Sequence, residues 1–234
     1  MSTNTINKVP LLDLRAQYDT IRAEVDDAVR RVMESCYFIG GPEISGLEEE
    51  IARYSQVPHA VACASGTDAL LMAMWTLGIG PGDEVISPAY SFFATAGTIA
   101  NNGATPVFVD IDPRTYNLDP HRLEAAITPR TKAVVAVSLF GQCCDVPAIK
   151  AICDKHQIYL IEDAAQSIGS EWEGKRSGSM CDFGTFSFFP SKNLGGAGDG
   201  GMITTTNPEM AEKARLLCNH GAKPKYFQIG RAHV

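Results

Sequence analysis

TKAVVAVSLFGQCCDVPAIKAICDKHQIYLIEDAAQS, residues 131–167, sets a strand, a helix and a second strand in one run. TKAVVAVSLF is apolar almost throughout, the pattern of a strand with both faces covered. VPAIKAICDKH reads as a helix and IYLIEDAA as the next strand. Strand, crossover helix and strand make parallel neighbours in one sheet.

The alternation extends both ways. Upstream, AVACAS (60–65), EVISPAY (84–90) and PVFVDID (106–112) read as strands. Between them TDALLMAMWTLG (67–78) is a glycine-capped helix and SFFATAGTIANNG (91–103) another. LDPHRLEAAIT (118–128) is a capped helix. Downstream come strands over FGTFSFF (183–189) and GMITTT (201–206), then a helix over PEMAEKARLLCNHG (208–221). Near the start, residues 14–35 form an amphipathic helix, with Leu14, Tyr18, Ile21, Val25, Val29 and Val32 at helical spacing. Gly40, Gly41 and Pro42 break it, and an acidic helix follows from about Glu43 to Tyr54. The expected fold is α/β, with a mostly parallel central sheet between layers of helices. No repeat or low-complexity linker interrupts it.

Such sheets bind ligands beyond the carboxyl ends of their strands. SFFPSKNLGGAGDGG (187–201) lies at one such end. Phe183, Thr185, Phe186, Phe188 and Phe189 favour a strand that stops at Pro190, and Lys192 follows at once, ahead of five glycines. A lysine buried there loses its preference for the charged form and becomes a usable amine nucleophile. That chemistry describes a Schiff-base lysine, most often one carrying pyridoxal phosphate (PLP). A solvated surface lysine is the plainer alternative. The order disfavours a nucleotide P-loop, whose glycine turn precedes a Lys that Ser or Thr follows.

Three other strand ends suit the same cofactor. Ser65-Gly66-Thr67 opens a helix, where free amides and a hydroxyl favour a phosphate, or where Ser65 or Thr67 is simply an N-cap. Glu162-Asp163 brings a carboxylate able to pair with a protonated pyridine nitrogen, or to cap a helix; Gln166 can donate to a ring hydroxyl. Tyr90, Phe92 and Phe93 supply an aromatic face for a flat ring, or pack into the core. Ser187 adds a hydroxyl for the phosphate.

Composition narrows the partners. At 234 residues the chain can bury one substantial core, or one large and one small domain. A formal charge of −7 disfavours nucleic acid and anionic membranes, and no apolar run reaches spanning length. Seven cysteines, an odd number without a CxxC pair, suit reduced thiols in a cytoplasm. The five histidines are scattered without HExxH spacing, so no metal site is expected.

Together SGTDAL, PAYSFFATA, IEDAAQSIGS and SFFPSKNLGGAGDGG resemble the DegT/DnrJ/EryC/StrS sugar aminotransferases, PLP enzymes of the aspartate aminotransferase fold. VPLLDLRAQY and FIGGPEISGLEEEIA share the likeness, which runs from about Val9 to Phe227. The resemblance implies a three-layer PLP-binding large domain over residues 36–227, after an N-terminal helical segment, 1–35. It makes Lys192 the cofactor lysine and proton shuttle, and Asp163 the pyridinium partner. Gln166 sits at the ring hydroxyl, Phe92 stacks on the ring, and Gly66, Thr67 and Ser187 hold the phosphate.

The implied reaction moves an amino group, usually from glutamate, to a nucleotide-linked keto-sugar, for polysaccharide or natural-product synthesis, in a homodimer. Alternatives are another PLP reaction on this fold, a PLP-binding regulator without turnover, or a sugar dehydratase, whose family members carry histidine where this chain has Lys192. The family also carries a C-terminal small domain, which this chain is expected largely to lack. Its ending IGRAHV reads as a translated sequencing adapter (ATC GGA AGA GCA CAC GTC), so residues 228–234 are expected to be non-native.

Overall fold

Alternating strands and helices fold into one seven-stranded sheet in the computed structural model, which describes residues 12–221. Residues 9–11 and 222–227 of the expected likeness, and the expected tail 228–234, lie outside the described residues.

Two compact units divide the chain, residues 1–43 and 44–234. In the first, α1 (Leu14–Ser35) begins where the Asp13 carboxylate accepts the Ala16 N–H at 3.0 Å, which satisfies one free amide of the first turn. It ends at Cys36 in the left-handed conformation. None of its residues is buried, and Ile21, Val29 and Met33 are exposed. The boundary falls inside α2 (Pro42–Tyr54).

The second unit continues with β1 (His59–Cys63), α3 (Gly66–Thr76), β2 (Glu84–Pro88), α4 (Phe93–Asn101) and β3 (Thr105–Val109). Next come α5 (Pro120–Leu123), β4 (Thr131–Val137), α6 (Val146–His156) and β5 (Tyr159–Asp163). A short hairpin, β6 (Glu171–Trp172) and β7 (Lys175–Arg176), precedes β8 (Phe183–Ser187), β9 (Gly201–Thr205) and α7 (Pro208–Cys218). The sheet order is β1-β9-β8-β5-β4-β2-β3. From β8 to β3 every pairing is parallel, and β9 is antiparallel to both its neighbours.

Strand alternation sorts the apolar side chains between two faces. Val85, Ala133, Val135 and Ile161 pack with residues of α3, α4 and α7. Ile86, Val134, Ala136 and Leu160 pack with residues of α5 and α6. Helices therefore cover both faces, giving the expected three layers.

Some boundaries differ from the sequence reading. β3 stops at Val109, because Asp110–Asp112 leave the sheet for a turn in which Asp112 Oδ1 accepts the Arg114 N–H at 2.7 Å. The helix expected over 118–128 is one α-turn followed by a 3-10 turn, Glu124–Ala126. β8 ends at Ser187, short of Pro190: Ser187 Oγ accepts the Phe189 N–H at 3.3 Å, and the Phe188 carbonyl turns to the Gly196 N–H at 2.7 Å. Beyond β8 the aromatic run thus bonds to the glycine-rich loop.

Candidate active site

β1, β2, β4, β5 and β8 point the same way, so their carboxyl ends deliver side chains to one edge of the sheet. A cavity of about 420 Å³ opens there, a size that suits a small cofactor. Gly66, Thr67, Phe92, Asp163, Gln166, Ser187 and Lys192 all line it.

At one end Ser65 caps α3. Its hydroxyl accepts the Asp68 N–H at 3.1 Å and its carbonyl the Ala69 N–H at 3.0 Å. The amides of Gly66 and Thr67 are left for a ligand, at the positive end of an eleven-residue helix. Ser65, and not Thr67, is therefore the N-cap, and this cap is compatible with a phosphate at the same helix end. Two glycines allow the strands to converge here. A Cβ on Gly66 would stand 2.6 Å from Ser187 Cβ, and one on Gly201 only 2.2 Å from the Ser65 carbonyl oxygen.

Deeper in the cavity lies Asp163, only 7% exposed. Its Oδ2 accepts the Thr95 hydroxyl at 2.9 Å and its Oδ1 the Ala165 N–H at 3.2 Å. Burial pushes its carboxyl above the usual range, while these hydrogen bonds and the Lys192 charge draw it back. No helix follows Asp163, so the helix-cap alternative falls. Its neighbour Glu162 turns to the opposite face, as strand alternation requires. There it is fully buried, accepting Ser138 Oγ at 2.6 Å, Ser177 Oγ at 2.7 Å and the Gly178 N–H at 2.7 Å.

Gln166 Oε1 accepts the Phe140 N–H at 2.8 Å. That bond orients the amide and leaves Nε2 as its donor. Tyr90, Phe92 and Phe93 are 49%, 66% and 81% exposed, so core packing is excluded for all three. Phe92 lines the cavity, with Lys192 Nζ 5.8 Å from its ring centroid. Lys192 is partly buried, not enclosed as the sequence reading expected, because the glycine-rich loop that carries it is mostly exposed.

Ser91, Thr95, Ser191 and Asp199 went unread in the sequence. Ser91, Ser191 and Asp199 line the cavity, and Thr95 stands behind Asp163. Only the position of Ser191 and Asp199 beside Lys192 could have signalled them. Among the described residues, no group of three or more His, Cys, Asp or Glu is placed to hold a metal, and no helix is long and apolar enough to cross a membrane.

The model of the DegT/DnrJ/EryC1/StrS aminotransferase family matches residues 19–232. The chain belongs to this family. To the pleiotropic regulatory protein of Geobacillus stearothermophilus it is 51% identical over 219 residues, 94% of this chain and 59% of that protein. To the UDP-2-acetamido-2-deoxy-3-oxo-D-glucuronate aminotransferase of Pseudomonas aeruginosa it is 49% identical over 221 residues, 94% and 62% of the two chains. The crystal structure of S. venezuelae DesV in complex with a ketimine intermediate matches with a TM-score of 0.93 at 44% identity, over 96% of this chain and 60% of that one. This DegT/DnrJ/EryC1/StrS chain spans about 60% of the length of these relatives.

The DegT/DnrJ/EryC1/StrS family is PLP-dependent, and the donor set fits that cofactor. Free amides and hydroxyls suit a phosphate, a buried carboxylate suits a ring nitrogen, and an amine and an aromatic face line the same cavity.

Proposed function

We propose that this protein is a PLP-dependent aminotransferase that moves an amino group from an amino acid, glutamate by family resemblance, to a nucleotide-linked keto-sugar. The supporting observation is the single cavity where Lys192, Asp163, Gln166, Phe92 and the α3 N-terminus meet. PLP, when bound, supplies an electron sink and a carrier for the amino group.

The side chains supply the rest. The amides of Gly66 and Thr67 and the hydroxyl of Ser187 hold the phosphate. The Asp163 carboxylate favours a protonated ring nitrogen by opposing its charge. Gln166 Nε2 donates to the ring hydroxyl, and Phe92 covers a ring face and excludes water. Lys192 is the one basic side chain among the residues lining the cavity. Its Nζ would anchor the cofactor, then carry the proton from the donor's amine-bearing carbon to the cofactor, and from the cofactor to the keto-sugar carbon in the second half of the reaction. By resemblance the working form is a homodimer.

Borohydride reduction of the PLP-treated protein, followed by peptide mapping, tests the reading. The expected label lies on Lys192 and disappears in Lys192→Ala; a label on another lysine rejects the assignment. A regulator that binds PLP without turnover is the second reading, favoured by the name of the Geobacillus relative. Added glutamate separates the two. An aminotransferase converts bound PLP to its amine form, whereas in a regulator labelled at Lys192 the absorbance stays unchanged.

A further inference from the structure

Thr95 is fully buried on α4, yet its hydroxyl has two polar partners in line. Asp163 Oδ2 lies 2.9 Å from Thr95 Oγ1 on one side, and Ser91 Oγ lies 2.9 Å away on the other. A carboxylate only accepts, so Thr95 must donate to it, which leaves the Thr95 oxygen to accept from Ser91. Ser91 lines the cavity, so a directed chain of hydroxyls runs from the cavity wall to the buried carboxylate. We propose that Thr95, supported by Ser91, is the positioning residue of this site, holding Asp163 as an oriented carboxylate before any cofactor arrives.

With the Ala165 N–H on Oδ1, both carboxylate oxygens are fixed, and the side chain cannot turn without losing a bond. The other charged groups near Asp163 are Glu162, its neighbour on β5, and Lys192 and Asp199, which line the same cavity. None of them is hydrogen-bonded to the carboxylate, so that task falls to Thr95 and Ala165. The inference rests on the proposed role of Asp163, and its first test needs no cofactor.

In the PLP-free full chain with ¹³C-labelled aspartate, the Asp163 carboxyl signal is assigned by its loss in Asp163→Asn and followed against pH. Thr95→Val removes the hydroxyl at nearly constant shape. It should raise the Asp163 midpoint by about one to two pH units, the worth of one hydrogen bond to a charged group. Thr95→Ser should restore the midpoint, and Ser91→Ala should move it upward by less.

An unmoved midpoint in folded Thr95→Val, or no restoration by Thr95→Ser, overturns the proposal. If Thr95→Val does not fold, Ser91→Ala decides, and an unmoved midpoint there is equally fatal. In protein loaded with ¹⁵N-labelled PLP, Thr95→Val should lower the protonated fraction of the ring nitrogen. A midpoint shift without labelling of Lys192 would sink the proposed function and spare the hydroxyl chain. Labelling of Lys192 with an unmoved midpoint would do the reverse.

Discussion

Asp163 carries a charge that its surroundings oppose. Burial raises its carboxyl above the ordinary value of 3.8, and Thr95, Ala165 and Lys192 compensate only in part. A carboxyl with a higher pKa folded than unfolded binds more protons in the folded state across that interval. Stability therefore falls as pH rises through it, from the ordinary value up past the folded one. Asp163→Asn removes this titration. In the PLP-free protein, urea unfolding at a series of pH values from 4 upward should show the wild type losing stability relative to the variant. Parallel curves would show that the carboxyl is not perturbed. The sequence disclosed Asp163 because it ends an apolar strand. It could not disclose Thr95, whose partner lies 68 residues away and is met only when α4 folds against β5.

Among the elements, the glycine-rich loop best separates what sequence can and cannot show. Five glycines follow Lys192 in the sequence, which does not say which of them a close backbone approach requires. A Cβ at Gly198 meets nothing within 4 Å, while at Gly201 it would stand 2.2 Å from the backbone oxygen of Ser65. Gly198→Ala should therefore change stability by less than about 0.5 kcal/mol. Gly201→Ala must push β9 away from the β1–α3 turn and should cost about 1–3 kcal/mol. PLP affinity should fall with it, because the Gly66 and Thr67 amides move too. Equal melting curves for the two variants would contradict this geometry. Strong periodicity made the long elements legible, and α6 lies over Val146–His156 as read. β6 and β7 escaped because two-residue strands have no period, and β8 was overextended because Phe188 and Phe189 favour a strand but bond to the loop.

For the whole molecule, the cysteines report how the layers hold together. All seven are free. Cys144, Cys153 and Cys181 sit in the cluster that packs α5 and α6 on the sheet, and Cys36 is exposed on the first unit. Burial pushes the Cys153 thiol up to about 12 and those of Cys144 and Cys181 well above their usual value. Since the thiolate is the attacking form, their reactivity is suppressed by protonation as well as by access. The strands beneath them feed alternate side chains into both faces, so stripping α6 away would uncover Val134, Ala136 and Leu160 at a cost shared with the rest of the sheet. One cooperative unit is the expected result. In a native-state reaction with an aromatic disulfide, Cys36 should react at the rate of a free thiol. Cys144, Cys153 and Cys181 should react together, slower by a factor on the order of 10³ or more, set by the unfolding equilibrium. Low concentrations of urea should accelerate all three with the slope of global unfolding. If Cys153, on α6, reacts ahead of Cys181 and without that slope, α6 opens on its own, and the helix layer is a separable shell over a sheet that survives without it.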